Sequence, residues 1–423
     1  MAFHRFSAAV ALAPLLVLAG FAITPAVRAQ DPVPEQYQET YLALEQRLKA
    51  FHRYLDSIHL GRAGKLAFGA ELSTADGHRG EALLTQESAL TNYLMVNRLK
   101  GMGLDGVTIS INYPMLNKDF PHSSEYLSFY KQLAKVIRDG GLRLHVTIAP
   151  IAPGAEYTDL AVDYANLDKA GYFARWRAMC ETVAREIRPD MLTVAGDPAA
   201  WMKILGIRFT PEELAAYVDD AATAARAAFA SSGRGAFEGS RKKGPNHVLI
   251  CAGAGTWENP AYIEELIDAT KVDIIDLHLY ALEGPGGDYL KEAVRLGKLA
   301  KRKQKRLIIG EFWLYKTTAA ELAKHPVESA AFGIDAYDFW APLDIAMIRV
   351  VAKMARRLDV EYVSLRWTKY LFGYLEYNKD TKDLPVRNLM AESSRVAARG
   401  MNANRRSSTG EIYWRIVNGR EPY

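Results

Sequence analysis

Eight short runs rich in β-branched and apolar residues recur along this chain, and between them the apolar residues return every three or four positions. The runs are Leu66 to Ala70, Val107 to Ile111, Leu142 to Ala149, Met191 to Ala195, Val248 to Ala252, Val272 to Leu279, Arg306 to Ile309 and Tyr362 to Leu365. Most are continuous rather than alternating, the pattern of strands buried on both faces, and such strands build parallel sheets covered by helices. The intervening helical periods are exemplified by Phe173, Trp176, Met179, Val183 and Ile187, and by Tyr41, Leu44, Leu48, Phe51, Leu55 and Ile58 ahead of the first strand. Thr210-Pro211-Glu212-Glu213 reads as a helix start, with an N-cap, a proline in the first turn and a capping-box glutamate. Eight repeats predict closure into a (β/α)8 TIM barrel of the α/β class, one domain from 41 to 423. The alternative is an open doubly wound sheet, but no glycine-rich phosphate loop follows any run, so its usual nucleotide chemistry has no support.

A chain of 423 residues with 49% hydrophobic and 24% charged residues is globular in composition, which excludes collagen-like, coiled-coil and disordered readings. Residues 1–29 read as a signal peptide: Arg5, an apolar run from Ala8 to Ile23 broken by Pro14, then Val27-Arg28-Ala29 as a cleavage site. No cysteine follows the run as a lipid attachment point, so a secreted or periplasmic location without membrane attachment is expected. Loss of Arg5 and Arg28 would lower the net charge of +4 to about +2 with both signs interspersed, and nothing in that balance calls for nucleic acid. The basic run Lys301 to Arg306 is expected to close a helix. Cys180 and Cys251 read as two small buried residues, although pairing stays open, and neither has neighbours at metal-ligand spacing. No cofactor or metal is implied.

In such a barrel, function collects at the C-terminal ends of the strands. The polar and aromatic residues there are Glu71, Asn112 with Tyr113, Asp197 with Trp201, Trp257 with Glu258, then Asp276, His278 and Tyr280, Glu311 with Trp313, and Arg366 with Trp367. Two acids, Asp197 and Glu311, stand among tryptophans and tyrosines. Glycoside hydrolysis needs that combination: one carboxyl group to protonate the leaving oxygen, a second to attack or to activate water, and aromatic faces for sugar rings. An acid after a strand is also a common helix N-cap, and Asp197 before Pro198 fits that role too.

Three segments resemble the clan A retaining glycoside hydrolases, the (β/α)8 group of endo-galactanases, β-mannanases and cellulases. Leu192 to Pro198 with Trp201 is similar to their strand-four motif, Asp273 to Tyr280 to their strand-six segment, and Leu307 to Trp313 to their strand-seven nucleophile motif. The resemblance implies Glu311 as nucleophile, His278 and Tyr280 as its orienting neighbours lining the nearest sugar subsite, and Trp367 as a stacking platform. Trp201, Trp313, Glu71 and Asn112 complete the expected substrate-binding set, and the expected partner is a carbohydrate. The chain departs from the pattern at strand four, where Gly196-Asp197 replaces the family's Asn-Glu. Aspartate is one methylene shorter, about 1.5 Å of reach, whereas retaining enzymes hold their carboxyls only about 5–5.5 Å apart. Asp197 is the expected acid/base, with Glu71 and Glu258 as substitutes, and unless the backbone advances the gap opens toward about 6.5–9.5 Å, the spacing of inverting enzymes, in which Asp197 and Glu311 would flank a water. The expected activity is hydrolysis of a β-linked poly- or oligosaccharide with retention. A barrel that binds carbohydrate without turnover is the main alternative, and an unrelated barrel hydrolase or lyase a further one.

Overall fold

In the computed structural model the described residues are 32–58, 64–152, 158, 160, 162–164, 167–232, 247–284, 287–317 and 335–421. The expected leader and most of the polar stretch from Ser231 to Asn246 lie outside them. Eight strands form one closed barrel in which every neighbouring pair is parallel. They are β1 (Ala67–Glu71), β2 (Gly106–Tyr113), β3 (Arg143–Pro150), β4 (Met191–Ala195), β5 (Leu249–Gly255), β6 (Ile274–Leu279), β7 (Arg306–Phe312) and β8 (Tyr362–Leu365). Each expected strand is present.

The first helix, α1 (Glu35–Asp56), buries Leu44, Leu48, Phe51 and Leu55 on one stripe. Each such side chain contributes about 1.5–3 kcal/mol by leaving water. The outer layer continues through α2 (Gln86–Gly101), α3 (Ser123–Asp139), α4 (Lys169–Thr182), α5 (Pro198–Leu205) and α6 (Pro211–Ser231). It closes with α7 (Ala261–Ala269), α8 (Tyr289–Arg302), α9 (Ala341–Leu358), α10 (Val386–Asn402) and α11 (Ser408–Val417). The capping box at the start of α6 is formed: Thr210 Oγ1 accepts from Glu213 N at 3.2 Å and Glu213 Oε2 accepts from Thr210 N at 2.9 Å. The basic run ends α8, with Lys303 paired to Asp268, Lys305 donating to the carbonyls of Thr270 and Val272, and Arg306 paired to Glu361. Cys180 and Cys251 are both buried and free.

Barrel interiors are usually filled by branched apolar side chains. Here Ala67, Met191, Cys251, Ile274, Ile308 and Tyr362 form such a plug, but buried polar groups stand beside it. Thr108 Oγ1 bonds Ser364 at 2.8 Å, His145 Nε2 lies 2.8 Å from Thr193 Oγ1, and Thr193 donates to Asp276 Oδ2 at 2.7 Å. Ser110 Oγ donates to Glu71 Oε1 at 3.2 Å and lies 3.1 Å from Thr147.

Two strands carry one residue more than their neighbours. Against Asp276 to His278 on β6, β7 fits Ile308 to Glu311, and against Val363 to Leu365 on β8 it fits Ile309 to Phe312, one residue more in each case, so Glu311 falls opposite His278. On β4 the register slips between Thr193 and Ala195 against β5. Such bulges re-aim the side chains that follow, and each one immediately precedes or contains an acid of interest.

Candidate active site

Glu311 is the most tightly held of the expected site residues. Tyr280, one residue past β6, donates to its Oε2 at 2.5 Å, and Arg366, one residue past β8, donates to its Oε1 at 2.7 Å. The same guanidinium pairs with Glu71 Oε1 at 3.0 Å, at the end of β1, and approaches Asp76 Oδ2 at 3.9 Å. Three strand ends are thereby tied through one cation. Burial pushes the Glu71 carboxyl up to about 8 against the pull of Arg366, with the charges of Glu311 and Asp76 adding to the rise. Burial would also raise Asp76, but His78, at 2.8 Å, and Arg366 bring it down to about 2.

The second acid, Asp197, is held by His278, whose backbone lies opposite Glu311. Its Nδ1 lies 3.1 Å from Asp197 Oδ1 and its Nε2 lies 3.6 Å from Asp276 Oδ2. Burial disfavours the charged ring, yet Asp197, Glu311 and Asp276 together lift His278 well above the ordinary histidine range. Asp276 keeps its own proton affinity low despite burial, because His278, His145 and Thr193 stabilise its charge. Its other oxygen accepts the Gly310 N–H at 2.7 Å, fixing the backbone just before Glu311. A Cβ on Gly310 would come within 2.3 Å of that oxygen, so the close approach needs glycine. At Gly196 a Cβ would sit 3.0 Å from His278 Cε1. The glycine thus accompanies an imidazole packed against strand four.

Asp197 occupies the N-cap of α5 but makes no side-chain capping bond. Glu258 takes that role from the turn after β5, its Oε2 accepting the Ala199 N–H at 3.0 Å. The other oxygen, Glu258 Oε1, is buried with no hydrogen-bond partner among the described residues. Burial, then the charge of Asp197, holds the Glu258 carboxyl well above the usual carboxylate range.

The expected aromatic platforms divide. Trp367 is partly exposed beside the Lys369 ammonium, 5.5 Å from its ring. Trp201 and Trp313 are packing residues instead, with relative exposures of 2% and 1%. Trp201 lies 4.2 Å from Trp176, whose indole N–H bonds the Val194 carbonyl at the β4 irregularity; Trp313 donates to Asp335 at 3.1 Å and stacks on Tyr370. Neither offers a sugar an open face. Trp257 is the better-placed indole: partly exposed, it lies 5.3 Å from Tyr280, which stacks on Tyr315 at 4.8 Å. Asn112, expected to contact substrate, is buried at the end of β2 with neither amide atom partnered among the described residues. Arg366 is the residue whose importance sequence reading missed. Among the described residues no group of three or more His, Cys, Asp or Glu is arranged to hold a metal ion.

No family model matches the chain, and no curated protein does. Among solved structures it is similar to an exo-β-1,4-mannosidase from Opitutaceae bacterium strain TAV5, at a TM-score of 0.53 and 15% identity over 86% of this chain. The chain spans 61% of that mannosidase's length. A GH5_18 protein from Bifidobacterium longum subsp. longum, solved with Manβ1-4GlcNAc, matches at a TM-score of 0.50 and 12% identity, over 84% of this chain and 78% of the other. The chain accordingly has the (β/α)8 fold found in the clan A glycoside hydrolases.

Proposed function

We propose that this protein is an exported glycoside hydrolase that cleaves a β-linked poly- or oligosaccharide, with Glu311 as nucleophile and Asp197 on the proton-transfer side. The observation that carries the reading is the double restraint on Glu311, whose two oxygens are fixed by Tyr280 and Arg366 at the C-terminal mouth of the barrel. A nucleophile must meet the anomeric carbon along a fixed line, and orientation of this kind contributes much of the rate in such reactions. In the proposed first step a Glu311 oxygen bonds the anomeric carbon as the bond to the leaving oxygen breaks, and that oxygen receives a proton from the Asp197 side. Water then reverses the sequence, giving overall retention. Trp257 and Trp367 are the proposed faces for sugar rings, with His278 orienting Asp197. Export follows from the leader-like residues 1–29.

The test is a screen of the purified chain against mannan, galactan, xylan and β-glucan, alongside Glu311→Gln. Hydrolysis by the parent and none by the variant, with both equally folded by circular dichroism, is the expected result. Undiminished hydrolysis by Glu311→Gln would remove this residue from the chemistry, and initial formation of the inverted anomer would remove its nucleophilic role.

A further inference from the structure

Resting on that reading, we infer that Asp197 and Glu258 work as one carboxyl pair sharing a proton, with Glu258 as the positioning residue that holds the proton between turnovers. The geometry begins with the helix start. Glu258 Oε2 is bonded to Ala199 N, two residues beyond Asp197, so the glutamate is anchored on the same turn that carries the shorter acid. Glu258 is 9% exposed and its free oxygen has no partner among the described residues, the position in which a carboxyl O–H is left to donate. Asp197, by contrast, keeps 28% of its side chain exposed and faces His278. One acid of the pair therefore meets the solvent side of the mouth, and the other is shut away from it. The charged and titratable groups acting on Glu258 are Asp197, which disfavours its ionisation, and His278, which favours it; the backbone N–H groups of Ala199 and Ala200 also favour the ionised form. Tyr262, whose hydroxyl bonds the Phe209 carbonyl, feels the glutamate in turn.

The proton balance is simple. As the glycosidic bond breaks, the shared proton passes from Glu258 through Asp197 to the leaving oxygen, leaving both carboxyls ionised. When water attacks the glycosyl-enzyme bond, its proton goes to Asp197 and on to Glu258, which restores the pair. This arrangement explains how a short aspartate serves at a strand-four position where the resembling enzymes carry glutamate.

The experiment follows the carboxyl carbons of the full chain, labelled with 13C at glutamate Cδ, by NMR across pH 4 to 9. Glu258→Gln, which keeps an oxygen for the Ala199 N–H, identifies the resonance. The expected result is that Glu258 stays protonated past the ordinary glutamate range and that Asp197→Asn lowers its midpoint by about one pH unit or more. A midpoint in the ordinary range, or one that Asp197→Asn leaves unmoved, overturns the inference whether or not the protein is a glycosidase. Once a hydrolysed sugar is known, alkyl and 2,4-dinitrophenyl glycosides of it separate proton delivery from folding. Glu258→Gln should lose roughly a hundredfold or more on the alkyl glycoside and almost nothing on the dinitrophenyl one, whose leaving group needs no proton. Equal losses on both would make Glu258 merely structural and defeat the proposal.

Discussion

Asp197 stands at the N-terminus of α5, yet the N–H that a residue there would ordinarily cap is bonded to Glu258. Removing the two side chains should therefore have opposite local effects. Glu258→Ala should cost about 1 kcal/mol of stability, the usual worth of a cap, and open the Ala199 and Ala200 amides to fast hydrogen exchange. Asp197→Ala should leave those amides protected. Fast exchange in the aspartate variant would mean that the capping assignment is reversed.

Arg366 is the cation between Glu311 and Glu71, and its loss leaves the Glu311 carboxylate and the Glu71 carboxyl group side by side without it. Arg366→Met should destabilise the protein by about 3–5 kcal/mol in urea unfolding, the usual cost of stripping one partner from a buried ion pair. A change below 1 kcal/mol would mean that the mouth of the barrel tolerates both acids unpaired.

The hydroxyl of Tyr280 supplies the other restraint on Glu311. Tyr280→Phe keeps the ring and its packing on Tyr315 and Trp257, so the loss is confined to one charge-assisted bond worth about 1.5–3 kcal/mol. Where the bond strengthens as the transition state forms, kcat on a hydrolysed glycoside should fall roughly tenfold to hundredfold, and because the bond is already made in the free protein the melting temperature should fall as well. An unaffected kcat would show the hydroxyl to be dispensable for orientation.

Glu71 offers a pH signature. In the unfolded chain its proton leaves near the ordinary glutamate value, whereas in the folded protein it is held to about 8. Between those limits the folded state binds the extra proton, so this carboxyl's contribution to stability is complete at low pH and fades as pH rises through about 8. Glu71→Gln should flatten the decline in unfolding free energy between pH 5 and pH 8 relative to the parent. Parallel curves for the two proteins would show that Glu71 ionises normally.

Gly310 leaves no space for a methyl group, because the Asp276 carboxylate already fills it. Gly310→Ala should cost about 1–3 kcal/mol by overpacking and reduce any hydrolytic activity through displacement of Asp276 and the Glu311 backbone. Retention of both stability and rate would refute the tight packing inferred there.

How much of this was legible in the sequence depended on how local the determining interaction is. Continuous apolar runs fix a buried parallel strand almost unaided, and all eight runs became barrel strands. Their ends were harder: β7 continues through Gly310 to Phe312, where glycine and glutamate interrupt the apolar pattern that marks a strand. Asp197, His278 and Glu311 stood out because each follows or ends an apolar run, and the fold brings them together. Arg366 carried no local signal of the two acids it joins, since Glu71 is 295 residues away and only barrel closure between β1 and β8 makes them neighbours. Trp201 and Trp313 illustrate the reverse error. An indole near a strand end reads as a platform until its partners are known, and Trp176 and Asp335 lie on other segments.

The additional residue in β7 decides which way Glu311 looks. Ile308 belongs to the barrel plug, so strict alternation would send Gly310 inward and turn its successor toward the surrounding helices, among aliphatic side chains. Shortening that strand by one position would bury the acid in oil while leaving the barrel able to close, and the molecule would be left as a scaffold whose reactive group points the wrong way.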